Sequence, residues 1–230
     1  MPPVLLTRPA EASARLAACL RARGVEVVEA PLMRIVPAES LPDLAPGLIF
    51  TSANGVAAYR ALGGDEGRPA WCVGPRTARA AEAAGLRVMG VATDAASLAV
   101  AIPPDAPPLL HLRGAVQRGN LAADLRTRGL TARDAVIYDQ VPVPLSDAGR
   151  RALRGPAIVP LYSPRTAALF AAACPKDAWP RLRLLALSPA VAAALPVASE
   201  IAETPDGAAM WRLLEQVLAA WAVEGRAGSD

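Results

Sequence analysis

An internal duplication constrains this chain more than any other feature. Leu5-Leu6-Thr7-Arg8 matches Leu110-His111-Leu112-Arg113. Leu16-Ala17-Ala18-Cys19-Leu20-Arg21-Ala22-Arg23-Gly24 matches Leu121-Ala122-Ala123-Asp124-Leu125-Arg126-Thr127-Arg128-Gly129, and Val36-Pro37 matches Val141-Pro142. The offset is 105 residues in all three matches, so no gap separates them. Beyond them the likeness loosens: Phe50-Thr51-Ser52 answers Leu161-Tyr162-Ser163, and the segment from Asp94 to Ile102 answers that from Asp206 to Leu214. With 230 residues, the chain has room for two related domains of roughly 100 residues each.

Each copy opens in the same way. Val4 to Leu6 is a short apolar run, Ala10 to Arg23 carries apolar residues at helical spacing and stops at Gly24, and Val25 to Val28 reads as the next strand. Strand–helix–strand is the building piece of a parallel α/β sheet. The alternation continues. Strands are expected at Leu48 to Phe50, Ala70 to Val73, Val88 to Val91, Leu109 to Leu112 and Leu184 to Leu187. Helices are expected near Val56 to Leu62, from Ala78 to Ala84, and from Ala95 to Ile102 behind an Asp94 cap. Leu32 to Val36 and Tyr138 to Val143 are matching extended stretches. As a pair of linker strands they make the chain cross between domains twice. The expected organisation is two similar parallel-sheet α/β domains joined by a two-stranded linker, one of them discontinuous: 1–34 with 143–230, an inserted domain 38–137, and linker strands 35–37 and 138–142.

Composition narrows the function classes. The net charge is +3, and Lys176 is the sole lysine, so basicity rests on arginine. No dense basic tract points to nucleic acid. Cys19, Cys72 and Cys174 are odd in number and far apart, which gives neither a disulfide framework nor a zinc pattern. His111 is the one histidine, so histidine triads and multi-histidine metal sites lack material. The opening Met1-Pro2-Pro3-Val4 is not a signal peptide, and no stretch of about 18 apolar residues suggests a membrane span. A cytoplasmic location is expected.

Loops after parallel strands gather at the carboxyl edge of a sheet, where helix N-termini present unbonded N–H groups. Five such loops carry suitable residues: Thr7-Arg8, Thr51-Ser52-Ala53-Asn54, Gly74-Pro75-Arg76-Thr77, Arg113-Gly114 and Ser163-Pro164-Arg165-Thr166. Hydroxyls and planar guanidinium forks suit carboxylates or phosphates. Any one hydroxyl is more often only a helix cap; the combination over five loops favours a site. Neither a dinucleotide fingerprint nor a P-loop is present. Tyr138, in the second linker stretch, is a candidate acid or donor as well as an ordinary packed tyrosine. Tyr59 is expected in a helix, Tyr162 inside a strand, and His111 as a core or interface residue. The acidic residues form no evident pair.

These segments together resemble the uroporphyrinogen-III synthase family. The likeness rests on Leu5-Leu6-Thr7-Arg8-Pro9, Ile49-Phe50-Thr51-Ser52-Ala53-Asn54-Gly55-Val56, Val73-Gly74-Pro75-Arg76-Thr77-Ala78, Leu112-Arg113-Gly114, Val136-Ile137-Tyr138 and Leu161-Tyr162-Ser163-Pro164-Arg165-Thr166-Ala167. The resemblance implies two α/β domains with an open cleft. It implies a lyase of porphyrin and heme biosynthesis, converting hydroxymethylbilane to uroporphyrinogen III by cyclisation, ring D inversion and loss of water. It implies no cofactor and no metal. It further implies a monomer, with transient contact with the preceding pathway enzyme as a partner. Carried over by motif, Tyr138 is the catalytic candidate, and Arg8, Ser52, Asn54, Arg76, Thr77, Arg113, Ser163 and Arg165 are the substrate-binding candidates. One departure stands out: a Gly-x-x-Thr-Ala pattern of the family is here Ser188-Pro189-Ala190-Val191-Ala192. Two other readings stay open, a non-catalytic two-lobed anion or tetrapyrrole binding module and a flavodoxin-like or regulator domain pair.

Overall fold

The computed structural model of the chain describes residues 1–116 and 119–227. The expected domain bounds also take in residues 117, 118 and 228–230, which lie outside the described residues. In chain order the elements are β1 (Val4–Leu6), α1 (Ala10–Arg21), β2 (Val27–Glu29), β3 (Met33–Pro37), β4 (Gly47–Phe50), α2 (Ala53–Ala61), β5 (Pro69–Val73), α3 (Pro75–Ala83), β6 (Arg87–Ala92), α4 (Ala95–Ala101) and β7 (Leu109–Gly114). There follow α5 (Leu121–Thr127), β8 (Ala132–Pro142), α6 (Asp147–Ala152), β9 (Ala157–Leu161), α7 (Pro164–Ala173), a 3₁₀ turn at Trp179–Arg181, β10 (Leu182–Ala186), α8 (Pro189–Ala192), β11 (Glu200–Ile201) and α9 (Gly207–Ala227).

These strands form two sheets, in the orders β11-β10-β9-β1-β2 and β3-β8-β7-β4-β5-β6. The pairings of β1 with β2 and β9, and of β10 with β9 and β11, are parallel, as are those of β4 with β5 and β7, β5 with β6, and β7 with β8. The chain divides into two compact units, Met1–Arg34 with the chain from Pro142 onward, and Ile35–Val141. Both divisions fall within a strand, β3 and β8.

The duplication maps onto this topology strand for strand. β1 and β2 are the sequence copies of β7 and the start of β8, and the loosely matching Phe50 and Leu161 end β4 and β9. The order β11-β10-β9-β1-β2 is therefore the order β6-β5-β4-β7-β8 built from exchanged pieces. The first sheet takes β1 and β2 from the first copy and β9 to β11 from the chain after the second. The second sheet does the reverse.

Parallel sheets need helices on both faces, and period-two alternation sorts the side chains between them. In the second sheet Leu48, Phe50, Ala70, Cys72, Leu110 and Leu112 pack with Val56, Tyr59, Ala78 and Ala81 of α2 and α3. Ile49, Trp71 and Leu109, one residue out of phase, pack with Leu98, Ile102, Leu121 and Leu125 around α4 and α5. The first sheet repeats the scheme. Leu5, Val159, Leu161 and Leu184 meet Phe170 and Val191 on one face, and Val4, Leu6, Ile158 and Leu185 meet Leu20, Met210 and Leu214 on the other.

Several expected boundaries shift for local reasons. α2 and α3 begin at Ala53 and Pro75, earlier than the apolar spacing suggests. Ser52 caps α2, accepting from Asn54 N at 3.2 Å, and a first-turn proline is already preset to helical φ. Gly74 takes φ +78°, a conformation that side chains disfavour, whereas the corresponding Ser52, Ser163 and Ser188 are extended. The Asp94 cap forms as expected, with Ser97 N donating to Oδ1 at 2.8 Å. The second linker stretch is not a separate strand but the end of the eleven-residue β8. Tyr162 lies one residue beyond β9, outside the strand expected to hold it.

His111 shows how tightly the second sheet closes. It is 4% exposed in β7, and its Nε2 is hydrogen-bonded to Thr51 Oγ1 at 3.0 Å. Burial pushes the imidazole from 6.5 down to about 4, against the attraction of Asp134. Below pH 6.5 the unfolded chain therefore takes up a proton that the folded chain refuses until about pH 4. His111 contributes stability that is lost as the pH falls through this window, up to about 3 kcal/mol. Denaturant unfolding at pH 7 and pH 4 is expected to show a smaller pH loss for His111→Gln than for the parent. Equal losses would show that the ring titrates alike in both states.

Candidate active site

The carboxyl ends of β4, β5, β7 and β8 open on one edge of the second sheet, and the candidate residues of Ile35–Val141 all stand there. Ser52 caps α2 and Asn54 is that helix's second residue; both are half-buried. Arg76 is the exposed second residue of α3, and Thr77, one position on, is buried at 5%. Arg113 and Gly114 end β7.

Tyr138 is held at this edge by a break in the strand register. Arg113 pairs with Val136, but Gly114 pairs with Tyr138, so Ile137 is an extra residue on β8. Strict alternation would send Ile137 and Tyr138 to opposite faces. The bulge turns both into the α2–α3 side of the core. The phenol ring is 5% exposed, and the side chains of Ser52 and Gln140 stand beside its hydroxyl. Burial raises its pKa above the ordinary 10, and those two polar neighbours pull the other way. At neutral pH Tyr138 is thus a protonated phenol at a sheet edge, a donor and not a base.

Arg113 is drawn partly inward. Its Nε donates to Asp134 Oδ2 at 2.6 Å, and its Nη1 donates to Gly114 O at 3.0 Å. Asp134 lies directly across from His111 in the β7–β8 ladder. This carboxylate partner depends on strand register and leaves no motif in the sequence. Gln140 beside Tyr138 escapes sequence reading for the same reason.

Within the other unit, β1, β9 and β10 carry the remaining candidates. Arg8 follows β1 and Tyr162 follows β9, on neighbouring strands. The Arg8 guanidinium lies over the Tyr162 ring, 4.4 Å from its centre. Ser163 caps α7, accepting from Thr166 N at 3.1 Å and donating to Thr166 Oγ1 at 2.9 Å. Arg165 is the half-buried second residue of α7. The three Pro-containing loops share one plan: an N-cap residue, a proline, an exposed or half-buried second helical residue, and a third. That third position is buried in each, as Thr77, Thr166 and Val191 at 5%, 3% and 1% exposure. Val191 therefore fills a core position, and the departing Ser188-Pro189-Ala190-Val191 loop keeps its shape while losing an arginine.

Both edges thus join helix starts to arginines, a combination that binds anions. Each edge also carries a tyrosine, buried Tyr138 in Ile35–Val141 and half-buried Tyr162 beneath Arg8 in the other unit. Among the described residues no cluster of three or more side chains could hold a metal ion, and no helix is long and apolar enough to cross a membrane.

A family model described as uroporphyrinogen-III synthase HemD matches residues 14–211. No curated protein sequence matches the chain. Among solved structures, a uroporphyrinogen-III synthetase from Helicobacter pylori superposes with a TM-score of 0.67 at 19% identity, covering 94% of this chain and 100% of that one. A mutant uroporphyrinogen III synthase from the extremely thermophilic bacterium Thermus thermophilus gives 0.51 at 18% identity, covering 96% and 100%. At these identities the structures speak for the α/β fold, and the family model, spanning most of the chain, speaks for descent: the chain belongs to the uroporphyrinogen-III synthase family.

Proposed function

We propose that this chain closes the linear polycarboxylate hydroxymethylbilane to uroporphyrinogen III, with Tyr138 as the proton donor at the departing hydroxyl. The observation that supports this role is the buried, protonated Tyr138 phenol, with Ser52 and Gln140 beside its hydroxyl at a sheet edge of helix starts and arginines. The substrate loses its ring A hydroxyl as water, taking the phenol's proton and leaving an electrophilic azafulvenium cation. The substituted carbon of ring D attacks, giving a spiro intermediate. Fragmentation and reclosure invert ring D, and the proton released as the last pyrrole regains aromaticity balances the one given up. One water is lost overall, and no electrons are exchanged.

In this reading Arg8, Arg76, Arg113 and Arg165 hold substrate carboxylates, and Ser52, Asn54, Thr77 and Ser163 shape the helix starts that receive them. Tyr162 keeps the Arg8 guanidinium over its ring. Much of the rate then comes from orientation, since a chain held for reaction at the substituted carbon cannot take the undirected closure. We further place the reaction in the cytoplasm, on a monomeric enzyme that meets the preceding pathway enzyme transiently.

Two variants test these roles. Tyr138→Phe is expected to lower kcat for uroporphyrinogen III formation by roughly tenfold to a hundredfold with an unchanged unfolding midpoint. An unchanged kcat removes the phenol from the reaction. Arg8→Ala is expected to raise KM roughly tenfold through loss of a charge-assisted contact. A KM equal to the parent's places Arg8 away from the substrate.

A further inference from the structure

We propose that Gly114 is a positioning residue for the Tyr138 hydroxyl. The inference rests on the reading of Tyr138 as the proton donor and extends it to a residue without functional groups. The Tyr138 ring lies against the backbone of two glycines. A Cβ built on Gly114 would stand 2.8 Å from Tyr138 Cε2 and Cζ and 3.0 Å from its hydroxyl oxygen. A Cβ on Gly55 would stand 3.7 Å from Cε1 and 3.1 Å from Leu112 O. The phenol therefore occupies a slot whose β7 wall is bare backbone, and no other residue type leaves that wall flat.

The wall itself is pinned. Arg113 Nη1 donates to the Gly114 carbonyl at 3.0 Å while Arg113 Nε donates to Asp134 Oδ2 at 2.6 Å. That ion pair ties β7 to β8 just before the bulge at which Gly114 and Tyr138 become partners. Bulge, ion pair and glycine together fix where the hydroxyl meets Ser52 and Gln140. Tyr138 packs in one cluster with Ile137 and with Val56 and Tyr59 of α2. At 2.8 Å an added methyl forces the ring or the β7 backbone to shift, and with it the hydroxyl.

The test is a double-mutant cycle in kcat. Gly114→Ala is expected to lower kcat on the order of tenfold or more by displacing the donor, measured at saturating substrate so that any change through neighbouring Arg113 falls on KM. In the Tyr138→Phe background the same substitution is expected to cost nothing further in kcat, since no hydroxyl remains to be placed. A parent-like kcat for Gly114→Ala, or the same fold-loss in both backgrounds, overturns the inference. If Gly114→Ala does not fold, Asp134→Ala probes the same wall without adding an atom. At saturating substrate it should lower kcat by a larger factor in the parent than in Tyr138→Phe, whatever it does to KM through its partner Arg113; equal fold-losses in both backgrounds overturn the inference. If Tyr138→Phe alone keeps full kcat, the proton-donor reading fails first, which separates the two failures.

Discussion

Parallel strand pairing is the constraint on which the rest of this structure depends. A parallel sheet requires a crossover after every strand and a helical layer on each face. All its carboxyl ends then emerge at one edge, with the N-termini of the following helices. In both units that edge collects the candidate residues, because the residues just after a strand can go nowhere else. Arg8, Ser52, Arg76, Arg113 and Ser163 are far apart in sequence, yet each stands at or just after the carboxyl end of a strand. Anion-binding capacity thus follows from topology before any side chain is chosen, and the side chains tune it.

The duplication adds a second consequence. Because β1 and β2 complete a sheet whose other strands come from the far end of the chain, neither sequence copy can bury its own sheet alone. Folding of the first sheet waits on contacts between residues near 5 and near 158, a long loop closure of the kind that slows folding. The exchange also lets the copies diverge by edge. The edge of Ile35–Val141 carries Tyr138 turned inward by the bulge at Ile137, and the other edge has Ser188-Pro189-Ala190-Val191 where its counterpart has Gly74-Pro75-Arg76-Thr77. Tyr138 is the sharpest product of that divergence, since its counterpart at the matching offset is Met33.

Much of this was legible in the sequence. The strand–helix alternation, the Asp94 cap, the helical Tyr59 and the buried His111 follow from periodicity and capping chemistry. The edge loops were legible because Ser-Pro and Gly-Pro before an Arg-Thr pair mark a helix start. What could not be read depends on register. The bulge that turns Tyr138 inward, the Arg113–Asp134 pair and the nearness of Gln140 arise only once β7 and β8 are aligned. Tyr162 reads as a strand residue by alternation, yet its strand ends one residue earlier, which places the ring beneath Arg8. Substrate roles for the arginines rest on chemistry and resemblance, since a guanidinium at a helix start looks the same whether it meets a substrate or water.

The central claim, that these edges direct ring closure, is tested most directly by the isomer formed. Freshly generated hydroxymethylbilane is given to the purified chain, and the oxidised products are separated by chromatography. The account predicts uroporphyrinogen III as the dominant product, formed faster than spontaneous closure. Isomer I alone, at the spontaneous rate, would contradict it.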